Sequence, residues 1–145
     1  MKVCLLVGSK DLGKALGRYL KFVIGENCQI TIRYHGDPLA ISRELLYSDL
    51  WICEAIKPDE PENPEGWRTA KILPESTKRL IFFLPPLPQN FPLEGRFWIT
   101  FPFHLPILKK KIENIMNSSS FGEQEFEEIE AKWPFLKKKL KGHHH

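Results

Sequence analysis

Long apolar runs are missing from this 145-residue chain. No stretch approaches the ~20 apolar residues that a membrane helix needs, so no spanning segment is expected. A leader is not expected either, because Met1 to Gly8 holds one Lys and an apolar run too short for the core of a signal peptide. Cysteine is scarce: Cys4, Cys28 and Cys53 are odd in number, sit inside apolar stretches and show no C-x-x-C spacing. Neither a disulfide framework nor a zinc site is expected, and a reducing cytoplasm fits. Histidine is scarcer still once His143, His144 and His145 are set aside, since with Gly142 they look like the remnant of an expression tag (142–145). His35 and His104 alone make a poor metal site, and neither a metal nor a cofactor is expected. Excess charge is small: 21 Lys+Arg against 18 Asp+Glu leave a formal net charge of +3. The pI near 8.7 lies below the ~9 typical of nucleic-acid-binding domains, so nucleic acid is not the expected partner.

What is present suffices for one core, with 42% hydrophobic and 27% charged residues. Strand and helix signals alternate. Val3 to Val7 is a continuous apolar run, and Leu12, Leu16, Tyr19, Leu20 and Val23 then recur at helical spacing. Gly25-Glu26-Asn27 breaks the chain before Gln29 to Tyr34, whose β-branched and aromatic residues suit a strand. Asp37 as cap and Pro38 at the first helical position predict a helix leading through Ala40 to Tyr47. Leu50 to Cys53 reads as a third strand, Pro58 to Pro64 as a proline-rich loop, and Gly66 or Trp67 to about Leu73 as a helix. Leu80 to Leu84 and Phe97 to Phe101 are a fourth and a fifth strand. Strands apolar throughout, alternating with helices, imply a parallel sheet covered on both faces: an α/β fold.

One helix is missing from the alternation. The segment from Pro85 to Arg96 holds Pro85, Pro86, Pro88 and Pro92, and proline inside a helix removes a hydrogen bond and clashes with the preceding turn. A loop or at most one turn is expected there. Leu105 to Met116 carries Leu105, Leu108, Ile112 and Ile115 as an apolar stripe, with Lys109, Lys110 and Lys111 largely off it. Residues 121–141 form an amphipathic appendage, acidic first and basic later, with Phe126, Ile129 and Trp133 at i, i+3 and i+7. A helix packed on the same domain is the simpler reading of it, and a partner-binding helix the other.

Ser48-Asp49-Leu50-Trp51-Ile52-Cys53-Glu54 followed by Pro58 resembles the third strand and loop of response-regulator receiver (CheY-like) domains, with Glu54 at the position of the phosphoacceptor Asp. Gly66-Trp67 is similar to the family's next helix start, and Phe101-Pro102-Phe103 to its Lys-Pro-Phe. The resemblance covers about residues 1–118 in element order and implies a receiver-like domain over residues 1–120 with a five-stranded parallel sheet in flavodoxin-like order 2-1-3-4-5. The departures from the family pattern are specific. Gly8 and Ser9 stand where receivers carry the acidic pair that holds Mg²⁺, Pro85 where they carry Ser or Thr, and Phe101 where they carry Lys. A hard cation that needs oxygen ligands loses two carboxylates, and proline and phenylalanine replace neither the donor nor the charge. The resemblance therefore implies a degenerate, or pseudo-, receiver in two-component signalling. Glu54 either imitates a phosphorylated acceptor, at about −1 charge against about −1.5 to −2 for phosphoryl, or is a polar residue at a strand end.

The competing reading is a small Rossmann-like nucleotide- or dinucleotide-binding domain, with Gly8, Ser9 and Gly13 as a phosphate-binding turn between the first strand and the first helix. The middle glycine of the dehydrogenase fingerprint and a Tyr-x-x-x-Lys pair are absent, and Ser9 lacks the Gly-x-Ser-x-Gly frame of a hydrolase, so no catalytic residue is assigned. Tryptophans and proline-stiffened loops suit an interface instead. The expected function is protein contact, with a second copy of the chain among the candidate partners, through the Pro85–Arg96 loop, the fifth strand and the Leu105–Met116 helix. Trp98, Lys109, Lys110 and Trp133 are the candidate interaction residues. Core packing is the stronger expectation for Trp51 than for Trp67 or Trp133.

Overall fold

The computed structural model describes residues 1–36, 47–57, 59–92, 94–118 and 122–137. Five parallel strands, β1 (Lys2–Val7), β2 (Gln29–Tyr34), β3 (Leu50–Glu54), β4 (Lys78–Phe83) and β5 (Trp98–Thr100), form one sheet in the order β2-β1-β3-β4-β5. The flavodoxin-like α/β order implied by the resemblance is the observed one. Helices α1 (Lys10–Ile24), α2 (Glu65–Ile72), α3 (Leu105–Met116) and α4 (Glu123–Lys132) surround it, followed by a 3-10 turn at Pro134–Lys137. The helix read from Asp37 to Tyr47 falls on residues outside the described ones, apart from Tyr47 itself. No described helix is long and apolar enough to cross a membrane.

Register assigns the two faces. Val3 aligns with Ile30 and Leu50, and Leu5 with Ile32 and Ile52, on the side covered by α1 and α3. Cys4 aligns with Trp51, and Trp51 with Arg79, on the side covered by α2. In β1 and β3 both rows are buried, which is why these strands read as continuous apolar runs rather than as alternations, while Ile30 and Ile32 of β2 are half-buried. Arg79 lies in this core because it ends α2: its guanidinium donates to the carbonyls of Ala70, Leu73, Pro74 and Thr77, where the helix's last oxygens lack partners of their own. On the other face, Lys111 is buried and not off the apolar stripe. Its Nζ bonds Glu94 Oε1 at 3.1 Å and the Gly95 carbonyl at 2.6 Å, tying α3 to the segment before β5.

No helical turn occurs between β4 and β5 among the described residues, as the four prolines require. The apolar surface left there is covered by the C-terminal segment. After α3 on one side of the sheet, α4 packs on the other: Phe126 stands edge-on to Trp67 at 5.1 Å, and Trp133 lies 5.5 Å from Phe91 and 5.9 Å from Phe83. Trp67 is as fully buried as Trp51, against the expectation that separated them, because α4 closes over it. Its indole N–H donates to Glu130 Oε2 at 2.9 Å, and Lys71 Nζ bonds the same carboxylate at 3.0 and 2.9 Å. Glu130→Gln keeps an oxygen for Trp67 but loses the ion pair with the partly exposed Lys71. An expected loss of about 1 kcal/mol follows, read from the urea midpoint.

Candidate functional site

In open α/β sheets ligands meet the carboxyl ends of the strands. Here that edge brings together Gly8 and Ser9 after β1, His35 after β2 and Glu54 to Lys57 at the end of β3. Glu54 is the last residue of β3. The pleat turns it to the α1 side with Leu50 and Ile52, and it is 1% exposed. Oε1 accepts a 2.6 Å hydrogen bond from the Gly8 N–H, while Oε2 has no partner among the described residues. Burial pushes the carboxyl up to about 7 against the Gly8 N–H, which favours the ionised form; Asp59 adds to the rise and Lys57 opposes it.

Lys57, which the sequence did not single out, covers this contact. Its Nζ lies 3.6 Å from Asp59 and 3.7 Å from Glu60, and its stem crosses Gly8. A Cβ added at Gly8 would stand 2.6 Å from Lys57 Cγ and 3.0 Å from Glu54 Oε1. The space beside the Gly8 Cα is filled by the chain itself. A Mg²⁺ ion does not fit these residues: Gly8 offers no side chain, the Glu54 carboxylate is buried with one oxygen engaged, and Asp59 and Glu60 face the Lys57 ammonium. Among the described residues no group of three or more His, Cys, Asp or Glu side chains could hold a metal ion.

The Gly8–Gly13 turn also uses its own donors. Ser9 caps α1, its hydroxyl accepting from the Leu12 N–H at 3.2 Å, and the Gly8 N–H goes to Glu54. Gly13 is explained by packing, since a Cβ there would come within 3.1 Å of Ile32 Cγ2 and 3.3 Å of Val7 Cγ2. His35 is a second residue without a sequence signal. Its ring lies against Gly66 of α2, and burial holds it below the ordinary imidazole range, with Glu65 and the backbone of Glu54 pulling the other way.

Pro85 and Phe101 belong elsewhere. Both line an apolar groove of about 400 Å³ beside β5, with Leu87, Phe103 and Ile107, and Phe101 is 38% exposed with its ring edge-on to Phe103 at 5.5 Å. The four candidate interaction residues do not form one surface. Lys109 and Lys110 are exposed on α3. Trp98 is 8% exposed, its indole packed where Gly95 leaves out a side chain. Trp133 is half-buried in the aromatic cluster on the side of the sheet away from α3. The sequence could not separate them, because a Trp at an edge strand looks the same whether a glycine loop covers it or not.

No family model and no curated protein sequence matches the chain. Solved structures are similar in fold. A two-component response regulator from Clostridium difficile superposes with a TM-score of 0.57 at 22% identity, over 81% of this chain and 99% of that one. The non-phosphorylated HemR receiver domain from Leptospira biflexa gives 0.58 at 18%, over 84% and 99%. A CheY-like response regulator receiver domain protein from Methanospirillum hungatei gives 0.52 at 18%, over 91% and 98%. The chain has the receiver fold.

Proposed function

We propose that this chain is an atypical receiver-like signalling module that does not undergo conventional phosphotransfer and acts through protein contact, with no enzymatic step of its own. The observation that carries the reading is the Gly8–Glu54 contact beneath Lys57. Glu54, at the acceptor position, is an internal ligand of the α1 start. A phosphoryl group has neither an exposed acceptor nor a cation site beside it, and Pro85 and Phe101 supply neither hydroxyl nor ammonium. Loss of the switching residues leaves a fixed conformation rather than a two-state one. The groove of about 400 Å³ bordered by Phe101 and Ile107, beside β5 and the start of α3, supports the α3–β5 side as the contact surface. Its apolar floor resembles the core of a protein interface.

Thermal denaturation tests the reading with Mg²⁺ plus beryllofluoride and, separately, with adenine, guanine and nicotinamide nucleotides. A ligand at 100 times its dissociation constant adds about 2.7 kcal/mol of stability, well above detection. No shift is expected with any of them. A shift with beryllofluoride and Mg²⁺ overturns the closed pocket, and a shift with a nucleotide assigns the Gly8–Gly13 turn to phosphate.

A further inference from the structure

Strand β2 ends the sheet among the described residues. Its bonds to β1 come from alternate residues, with the Gln29 N–H on the Met1 carbonyl and the His35 N–H on the Val7 carbonyl, both at 2.9 Å. By that register the peptide groups of Ile30, Ile32 and Tyr34 point away from the sheet, along its edge. The side chains of the same three residues lie on the α1 side, half-buried. Beside them α1 presents Lys14, Arg18 and Lys21, and these residues enclose with Gly17, Ile30 and Ile32 a groove of about 310 Å³. All three cations are exposed, and none has an ion-pair or hydrogen-bond partner among the described residues. Gly17 keeps the groove open, since even a Cβ there would reach only Ile32 Cδ1, at 3.9 Å.

Among the described residues an open strand edge stands next to an unpaired row of cations, and the two are complementary to one chemistry. We propose that the α1–β2 groove docks an extended acidic segment of a partner protein, which adds as a strand beside β2 and turns alternate carboxylates to Lys14 and Arg18. Spacing supports the match. Lys14 and Arg18 are about 6 Å apart along the helix at 1.5 Å per residue, close to the ~6.6 Å between alternate residues of a strand. Backbone pairing would supply affinity, and the cation row would select acidic side chains on one face of the added strand. Nucleic acid would use the cations but leave the outward peptide groups of Ile30, Ile32 and Tyr34 unmatched. The surface is distinct from the α3–β5 side and from the Glu54 pocket, so a failure of either of those assignments leaves this one standing.

Fluorescence anisotropy on the full chain tests it, using labelled peptides of about eight residues. One alternates Val and Glu, a second has the same composition with the acids in one block, and a third is the alternating peptide N-methylated at alternate backbone amides. An oligothymidylate of similar charge is the fourth probe. The alternating peptide is expected to bind with a dissociation constant below about 1 mM, and both the block and the N-methylated peptides to bind at least about tenfold more weakly. The double variant Lys14→Glu/Arg18→Glu should weaken binding about tenfold or more, whereas Lys132→Glu/Lys137→Glu, on the C-terminal segment and with the same change in net charge, should leave it within about twofold. Equal binding of the block or N-methylated peptide, equal loss with the C-terminal variant, or no binding of the alternating peptide at about 1 mM overturns the proposal. Tighter oligothymidylate binding lost in the α1 variant overturns it in favour of nucleic acid.

Discussion

Gly66→Ala lowers the stability of the protein by about 3 kcal/mol or more in urea denaturation, the largest loss expected at the carboxyl edge of the sheet. In a helix Ala is ordinarily favoured over Gly by about 1 kcal/mol, so the expected sign is reversed by what the new methyl group would meet. A Cβ on Gly66 would lie 1.7 Å from the Glu54 carbonyl oxygen, 2.8 Å from its carbon and 2.9 Å from His35 Nε2. The first two are backbone atoms of β3 and cannot rotate away. Relief requires the start of α2 to lift off the strand, breaking the 2.9 Å bond from the Trp67 N–H to the Ala55 carbonyl. Trp67, fully buried, and its contact with Glu130 would move with it. Gly17→Ala is the matched control. Its methyl group would meet only Ile32 at an ordinary 3.9 Å within a regular helix, and a gain of up to about 1 kcal/mol is expected. Equal effects of the two substitutions would mean that α2 is not held against β3 by this contact.

Glu54→Gln removes a slope from the dependence of stability on pH. The native carboxyl is pushed up from 4.5 to about 7, chiefly by burial. Between those two values the unfolded chain has released its proton while the native state still holds it. The native state therefore binds more protons, and stability falls as pH rises through this window. The loss totals about 3 kcal/mol and is complete above the native pKa. His35 acts in the opposite sense: burial lowers its native pKa below 6.5, so its contribution is lost as pH falls. Comparison of the variant with the wild type at each pH cancels that term. Gln keeps an oxygen for the Gly8 N–H and costs about 1 kcal/mol for its unpaired amide, a cost that does not vary with pH. From pH 4.5 to just above pH 7 the variant is expected to gain about 3 kcal/mol on the wild type, measured by urea denaturation across the range. A constant difference would place the Glu54 carboxylate in water and remove the internal ligand on which the closed pocket rests.

The element order is legible in the sequence. Continuous apolar runs such as Val3–Val7 and Leu80–Phe83 specify strands buried on both faces. The 3.6-residue stripes of α1 and α3 specify helices with one covered side, and prolines between β4 and β5 forbid a helix there. Those signals are local, carried by residues within one element. Gly8 and Glu54 could be brought to one edge of the sheet because each ends a strand that the alternation locates.

What covers what was decided only by the tertiary structure. Whether Trp67 and Trp98 are core or surface depends on α4 and on Gly95, which no spacing within their own segments reports. Lys57 over Gly8, His35 against Gly66 and Arg79 at the end of α2 each join elements distant in sequence or direction. The place of β2 at the end of the sheet among the described residues, beside Lys14, Arg18 and Lys21, follows from strand order, which sets the neighbours of β2. A sequence by itself determines which faces must be buried, since that follows from the polarity of each residue and the period of its element. The partner that buries each face is set by the lowest free energy of the whole packing, in which the C-terminal segment fills the place that proline denied to a crossover helix.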